Sequence, residues 1–255
     1  MNKLVFVLID GLNGTAANNM RFATRLAVSL RSGTYLAAMP PLSRPAYTTI
    51  FSGVDPEMHG ITSNDCKKAA PVNNFFRQMQ SSGKKCAAAA YFWFYELFNA
   101  GNFLLNCHRH IDRKDMPIRN GFFYQNDSYP DAELFANAEI LRRTARPDFL
   151  LTHCMGVDYA GHLFGGESGE YMKAAQNADQ LLARWLPQLL EAGYQIIVTT
   201  DHGMDSKGQH ENDKAICREC HYWLIGDIWA ALPLPAHARE IAGLLHKVML
   251  GNEIF

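Results

Sequence analysis

Short apolar runs of strand length alternate along this chain with longer stretches of helical spacing, and few folds satisfy that alternation. The runs predict strands over residues 3–9, 34–39, 85–90, 148–153, 195–200 and 222–225. Between them, Leu, Ala, Ile and Met recur with helical spacing over residues 18–31, 131–143, 171–190 and 236–249. A run such as Leu-Val-Phe-Val-Leu-Ile at 4–9 is apolar on both sides of its pleat, which suits a strand whose sheet is covered on both faces. The expected fold is therefore α/β, a mostly parallel central sheet with helices on both faces. Asp131, placed after Pro130 with Glu133 nearby, suits a capped helix start. The stretch from Phe92 to Tyr129 is rich in aromatic residues, Asn and Arg and breaks the alternation. It is expected to be a substrate-side insertion at about 92–129 in a single domain spanning 1–255. Its string Tyr91-Phe92-Trp93-Phe94-Tyr95 is read first as packing and second as a surface for a base or aryl group.

With 255 residues, 48% of them hydrophobic, the chain can bury a core without disulfides, so its six irregularly spaced cysteines are expected to be reduced thiols. Cys217-Arg-Glu-Cys220-His221 matches the pattern of c-type haem attachment, but attachment requires export. The amino-terminal apolar run is too short for a secretory signal and ends in Asp10. No stretch approaches the ~20 apolar residues that span a bilayer. A formal net charge of -1 provides no footprint for a polyanion, and Arg142, Arg143 and Arg146 read as a solvated helix end. These features predict a cytoplasmic protein with neither a membrane nor a nucleic-acid polymer as partner.

Four clusters carry residues suited to chemistry. Asp10 precedes Gly11 at the exit of the first strand, where open α/β sheets build sites, although a lone Asp there also suits a turn. Ser43 precedes Pro45, which predicts a helix start whose free N–H groups attract an anion; the bland alternative is a capping hydroxyl. Asp158 and His162 stand four residues apart, one helical turn, as a metal pair or a structural pair would. Asp201-His202-Gly203 ends the run Ile-Ile-Val-Thr-Thr, and His210 follows a short loop later. Two polar residues in sequence at a strand exit serve a core poorly and a metal well. Carboxylates and imidazoles of this kind suit a pair of divalent ions that activate a hydroxyl and stabilise a leaving oxygen at phosphorus. His59, His153 and His221 lack such neighbours and are read as structural.

Together these clusters resemble the alkaline phosphatase superfamily, and within it the type I phosphodiesterase and nucleotide pyrophosphatase branch. The resemblance rests on Asp10-Gly11, on Ser52-Gly53, Pro56 and His59-Gly60-Ile61 spaced behind a nucleophile, on Asp158-x-x-x-His162 and on Asp201-His202-Gly203. Counting back along that frame puts the nucleophile at Ser43 and not at Thr48 or Thr49. Asn64 occupies the place of an amide that holds a phosphoryl oxygen. The resemblance implies an alkaline-phosphatase-like fold and two divalent metal ions, with zinc favoured and manganese the alternative. One ion would take Asp158, His162 and His210; the other would take Asp10, Ser43, Asp201 and His202.

The implied activity is hydrolysis of a small-molecule phosphoric ester through a phosphoseryl intermediate on Ser43, with a phosphodiester favoured as substrate. Serine replaces the usual threonine, and Arg44 stands where an aromatic residue is usual, so hydrolysis of a phosphomonoester, phosphonate or sulfate ester is the enzymatic alternative. A catalytically silent metal- or ligand-binding protein is the alternative from another class. The short chain without disulfides implies a compact intracellular member.

Overall fold

A computed structural model describes residues 2–24, 26, 28–71, 73–99 and 101–251. Its strands are β1 (Lys3–Ile9), β2 (Leu30–Leu36), β3 (Cys86–Tyr91), β4 (His110–Asp112), β5 (Ile118–Tyr124), β6 (Phe149–Cys154), β7 (Tyr194–Thr199) and β8 (Glu219–Ile225). They form one sheet in the order β2-β8-β7-β1-β6-β3-β5-β4. The central strands β7, β1, β6, β3 and β5 run parallel, while β2 and β8 at one edge and β4 at the other pair antiparallel. The sheet is thus mostly parallel and mixed at its edges.

Alternation along β1 divides the core. Leu4, Phe6 and Leu8 face one side with Tyr47, Phe51, Phe75, Phe94 and Leu245. Val5, Val7 and Ile9 face the other with Leu134, Leu141, Leu182 and Leu186. The first layer comes from the helices Ser43–Ser52, Phe75–Ser81, Trp93–Phe98 and Glu240–Met249, and the second from Asp131–Ala145 and Gly169–Glu191. Both faces of the sheet are covered, which explains why β1 is apolar at every position from Leu4 to Ile9.

Two expectations change. The helix expected over 18–31 is absent as such: a short helix, Gly14–Ala17, gives way to turns held by Asp179, whose carboxylate accepts the Arg21 and Phe22 N–H groups at 2.7 and 2.6 Å. Arg25 and Ala27 lie outside the described residues. The strand expected at 34–39 instead covers Leu30–Leu36, because pairing with β8 from Leu30↔Ile225 to Leu36↔Glu219 recruits residues of low strand propensity at the sheet edge. Within the segment from 92 to 129, β5 is the parallel neighbour of β3. In the aromatic string from 91 to 95, Tyr91, Phe94 and Tyr95 are buried, with Phe92 and Trp93 half-buried.

Phe51 lies at the centre of an aromatic cluster, with its ring 4.9–6.3 Å from those of Phe6, Phe75, Phe76, Phe94, Phe98 and Phe149. Phe51→Ala is expected to lower stability by about 3–5 kcal/mol in urea unfolding, and a loss near zero would show that the cluster is loosely packed.

Candidate metal centre

Parallel pairing brings distant segments to one rim. β1 lies between β6 and β7 with Ile9 opposite Cys154 and Leu8 opposite Thr199, so three adjacent strands end side by side. From those ends emerge Asp10 after β1, Asp201 and His202 after β7, and the helix Gly156–Phe164 after β6. That helix carries Asp158 in its first turn and His162 one turn later. The helix Ser43–Ser52 points its first residue at the same rim, with Ser43 Oγ 3.2 Å from His202 Nε2.

The approach is close because two glycines permit it. Gly11 has φ +68°, and a Cβ there would lie 2.7 Å from Asp158 Oδ1. At Gly203 a Cβ would meet the Ile216 carbonyl oxygen at 1.9 Å, so only glycine lets the ligand loop pack backbone to backbone.

Two groups of ligand atoms lie within 4.8 Å of one another: Asp158, His202 and His210, and Asp10, Asp201 and His202. His202 belongs to both by distance. His162 joins through Asp158, its Nε2 3.3 Å from Asp158 Oδ2, and its ring lies 5.1 Å from that of His210, which stacks on His202 at 3.8 Å. All seven residues singled out as metal-binding therefore share one neighbourhood. Asn64 sits beside it, its Oδ1 accepting the Arg44 N–H at 3.0 Å.

Hydrogen bonding fixes how each imidazole is presented. The Nδ1 atoms of His162, His202 and His210 lie 2.9, 3.0 and 2.7 Å from the carbonyl oxygens of Gly208, Gly203 and Pro41. Carbonyls only accept, so each ring carries a proton on Nδ1 and turns Nε2 to the centre. Burial lowers the proton affinity of His202 and brings His210 to about 4, so both are neutral near pH 7. The Nε2 lone pair of His202 then faces Asp10 Oδ1 at 3.4 Å and Asp201 Oδ2 at 3.3 Å.

Those two oxygens, with Asp158 Oδ1, are buried and accept no hydrogen bond. Lone pairs facing one another in a buried site repel unless a cation lies among them, and carboxylates with imidazoles are ligands for a divalent transition metal. The residues present thus fit a metal. Without one, burial and the Asp10 charge push Asp201 well above the usual carboxylate range and raise Asp158 as well. His162, hydrogen-bonded to Asp158, rises to about 9.

Asp10 differs because its other oxygen is held. Burial alone would raise it, but the hydrogen bonds from His153 and Tyr47 bring it to about 2. His153 Nε2 donates to Asp10 Oδ2 at 3.0 Å, and the Tyr47 hydroxyl donates to the same oxygen. Tyr124 in turn donates to the His153 carbonyl oxygen at 2.8 Å. His153, read from the sequence as structural, therefore orients a candidate ligand. A histidine near the end of an apolar strand was the available signal, as was Tyr47 standing one helical turn after Ser43. The sequence reading also missed Asp205, which accepts the Lys207 and Gln209 N–H groups and the Lys214 ammonium and so shapes the loop bearing His210. The Lys214 hydrogen bond holds Asp205 down at about 2. His59 binds Thr49 Oγ1 through Nε2 and accepts the Ile61 N–H, which is a structural role. All six cysteines are free thiols.

Because His153 orients Asp10 without being one of the grouped ligand atoms, His153→Ala is expected to weaken divalent-ion affinity about 10–100-fold while leaving the ligand set intact. Competition with a chromogenic chelator measures this, and unchanged affinity would show that Asp10 needs no support.

The family model for type I phosphodiesterase / nucleotide pyrophosphatase matches residues 4–221. Human GPI ethanolamine phosphate transferase 3, catalytic subunit, is 35% identical over 27% of this chain, and its Saccharomyces cerevisiae counterpart is 21% identical over 70%. An uncharacterized pyrophosphatase/phosphodiesterase of Schizosaccharomyces pombe is 26% identical over 66% of the chain. The chain spans only 6%, 17% and 37% of the length of these three relatives. Among solved structures, murine ectonucleotide pyrophosphatase / phosphodiesterase 5, an inactive form in complex with AMP, superposes with a TM-score of 0.61. It is 18% identical and is matched over 80% of this chain and 58% of its own. Alkaline phosphatase from the Antarctic bacterium TAB5 superposes with a TM-score of 0.66 at 12% identity, over 98% of each chain. No helix among the described residues is long and apolar enough to cross a membrane. By its match to that family model over residues 4–221, the chain belongs to the type I phosphodiesterase / nucleotide pyrophosphatase family.

Proposed function

We propose that this protein hydrolyses a small phosphoric diester through a phosphoseryl intermediate on Ser43. The observation that carries this reading is a hydroxyl at the first residue of a helix, 3.2 Å from His202 Nε2, beside three buried carboxylate oxygens that accept no hydrogen bond. Two divalent ions, zinc in preference to manganese, would be held by Asp158, His162 and His210 and by Asp10, Ser43, Asp201 and His202. Such ions would favour the ionised form of the Ser43 hydroxyl and offset charge on the leaving oxygen.

The chain's own residues do the rest. Ser43 Oγ loses its proton and forms the new bond to phosphorus as the bond to the leaving oxygen breaks, and the leaving group departs as an alcohol after taking up a proton; water then attacks the alkylphosphoryl-serine, which restores the Ser43 hydroxyl and releases a phosphate monoester. In the first turn of the helix, Arg44 N–H donates to Asn64, Pro45 has no N–H and Ala46 N–H donates to the Leu42 carbonyl. Ser43 N–H remains for a nonbridging phosphoryl oxygen, with the Asn64 amide nitrogen as a second donor. His153 and Tyr47 keep Asp10 turned toward the centre.

A second reading is favoured by the matches to the ethanolamine phosphate transferases: an acceptor alcohol, and not water, takes the phosphoryl group from Ser43. Adding alcohols to a diesterase assay and analysing the products separates transfer from hydrolysis.

Ser43→Ala is expected to abolish turnover of an aryl alkyl phosphate diester without reducing bound metal, and substrate-quenched wild-type protein should carry one alkylphosphoryl group on the Ser43 peptide in mass spectrometry. Full activity of purified Ser43→Ala would sink the assignment. Metal binding should also be visible in stability. Zinc at a hundredfold excess over its dissociation constant is expected to stabilise chelator-treated protein by about 2.7 kcal/mol in thermal unfolding. Since folding raises the proton affinity of Asp201, its contribution to the stability of metal-free protein falls as pH rises above the unfolded carboxylate value of about 3.9. Zinc should reverse that trend and release protons, and Asp201→Asn should diminish both effects.

A further inference from the structure

We propose that Glu96 sets the charge class of the substrate by engaging Arg44, so that the site prefers singly charged diesters to doubly charged monoesters. The inference rests on Ser43 as the group that receives phosphorus, because Arg44 is its immediate neighbour on the helix Ser43–Ser52.

Arg44 is only 2% exposed. Its Nη2 forms an ion pair with Glu96 Oε2, its Nη1 donates to the Cys66 carbonyl oxygen at 3.3 Å, and its guanidinium lies 4.7 Å from the centre of the Trp93 ring. Glu96 is anchored in turn, since its Oε1 accepts the Phe103 N–H at 3.4 Å. Trp93 and Glu96 both come from the helix Trp93–Phe98, so one helical segment supplies both the ring and the counter-charge that occupy the guanidinium. Arg44 Nε is buried with no hydrogen-bond acceptor, so the guanidinium retains unused donor capacity.

The consequence follows from charge. A phosphodiester carries one negative charge, whereas a phosphomonoester carries nearly two at neutral pH because its second ionisation has a pKa of about 6. The added charge calls for a fixed cation with donors aimed at phosphoryl oxygens, the role a guanidinium fills best. Arg44 stands beside the nucleophile but is neutralised by Glu96. With Glu96 uncharged, a buried guanidinium lacks its counter-ion, and a dianionic phosphoryl group can supply that missing charge.

The test compares an aryl methyl phosphate diester with the corresponding aryl phosphate monoester in metal-loaded wild-type protein, Glu96→Gln and the double variant Arg44→Met/Glu96→Met. The wild type is expected to favour the diester. Glu96→Gln should lower the diester-to-monoester ratio of kcat/KM at least tenfold, chiefly by raising monoester turnover, whereas the double variant should keep the wild-type ratio. Calorimetric titration with inorganic phosphate gives a readout independent of turnover, and Glu96→Gln should bind it about tenfold more tightly. Glu96→Asp, which keeps the charge but shortens its reach, should move both quantities the same way by less, and it replaces Glu96→Gln if that variant does not fold. A wild-type preference for the monoester, an unchanged ratio and phosphate affinity in the Glu96 variants, or an equal shift in the double variant would overturn the proposal. Failure of the Ser43 reading looks different: Ser43→Ala retains turnover, while phosphate affinity still reports on Glu96.

Discussion

Three carboxylates converge at one buried rim of the sheet, and the surrounding structure is organised around their mutual repulsion. Asp10, Asp158 and Asp201 each present an oxygen that accepts no hydrogen bond, and the neutral His202 adds a lone pair among them. A protein core does not tolerate such an arrangement for packing reasons; its natural complement is positive charge. The groups that orient it are themselves tied down. Three imidazoles are tied through Nδ1 to backbone carbonyls, and His153 and Tyr47 occupy the far oxygen of Asp10. Orientation is thus fixed by groups that need no ligand, which is how a site is preorganised.

The fold makes this convergence simple. Neighbouring parallel strands in register end at the same level, so residues from positions 10, 158 and 201 become neighbours without long loops. The same parallel geometry explains the uninterrupted apolar runs, since strands covered on both faces leave no solvent side to mark. Only the edges depart, where β2, β8 and β4 pair antiparallel.

Features with local physical causes could be read from the sequence. Asp10 and Asp201-His202 stood out as polar residues directly after apolar strands, and Asp158 with His162 through helical spacing. His210 entered only through resemblance, because a lone histidine in a loop has no pattern of its own. What escaped depends on contacts between distant segments: His153 reaches Asp10 only because β6 pairs with β1, and Glu96 reaches Arg44 only because residues 92–129 fold back on the helix Ser43–Ser52. The helix expected over 18–31 failed for a related reason, since pairing with β8 and anchoring by Asp179 override local propensity.

The tight stacking at Gly203 links the fate of the candidate ligands to one another. The loop after β7 presses its backbone against Ile216, and Gly208 of the same loop would place a Cβ 2.6 Å from the Gly161 carbonyl oxygen on the helix that bears Asp158 and His162. Loop and helix are therefore packed backbone to backbone as one unit. Any thermal opening that lifts the loop from its seat carries His202 and His210 away from Asp158 in the same motion, so the centre comes apart cooperatively and not one ligand at a time.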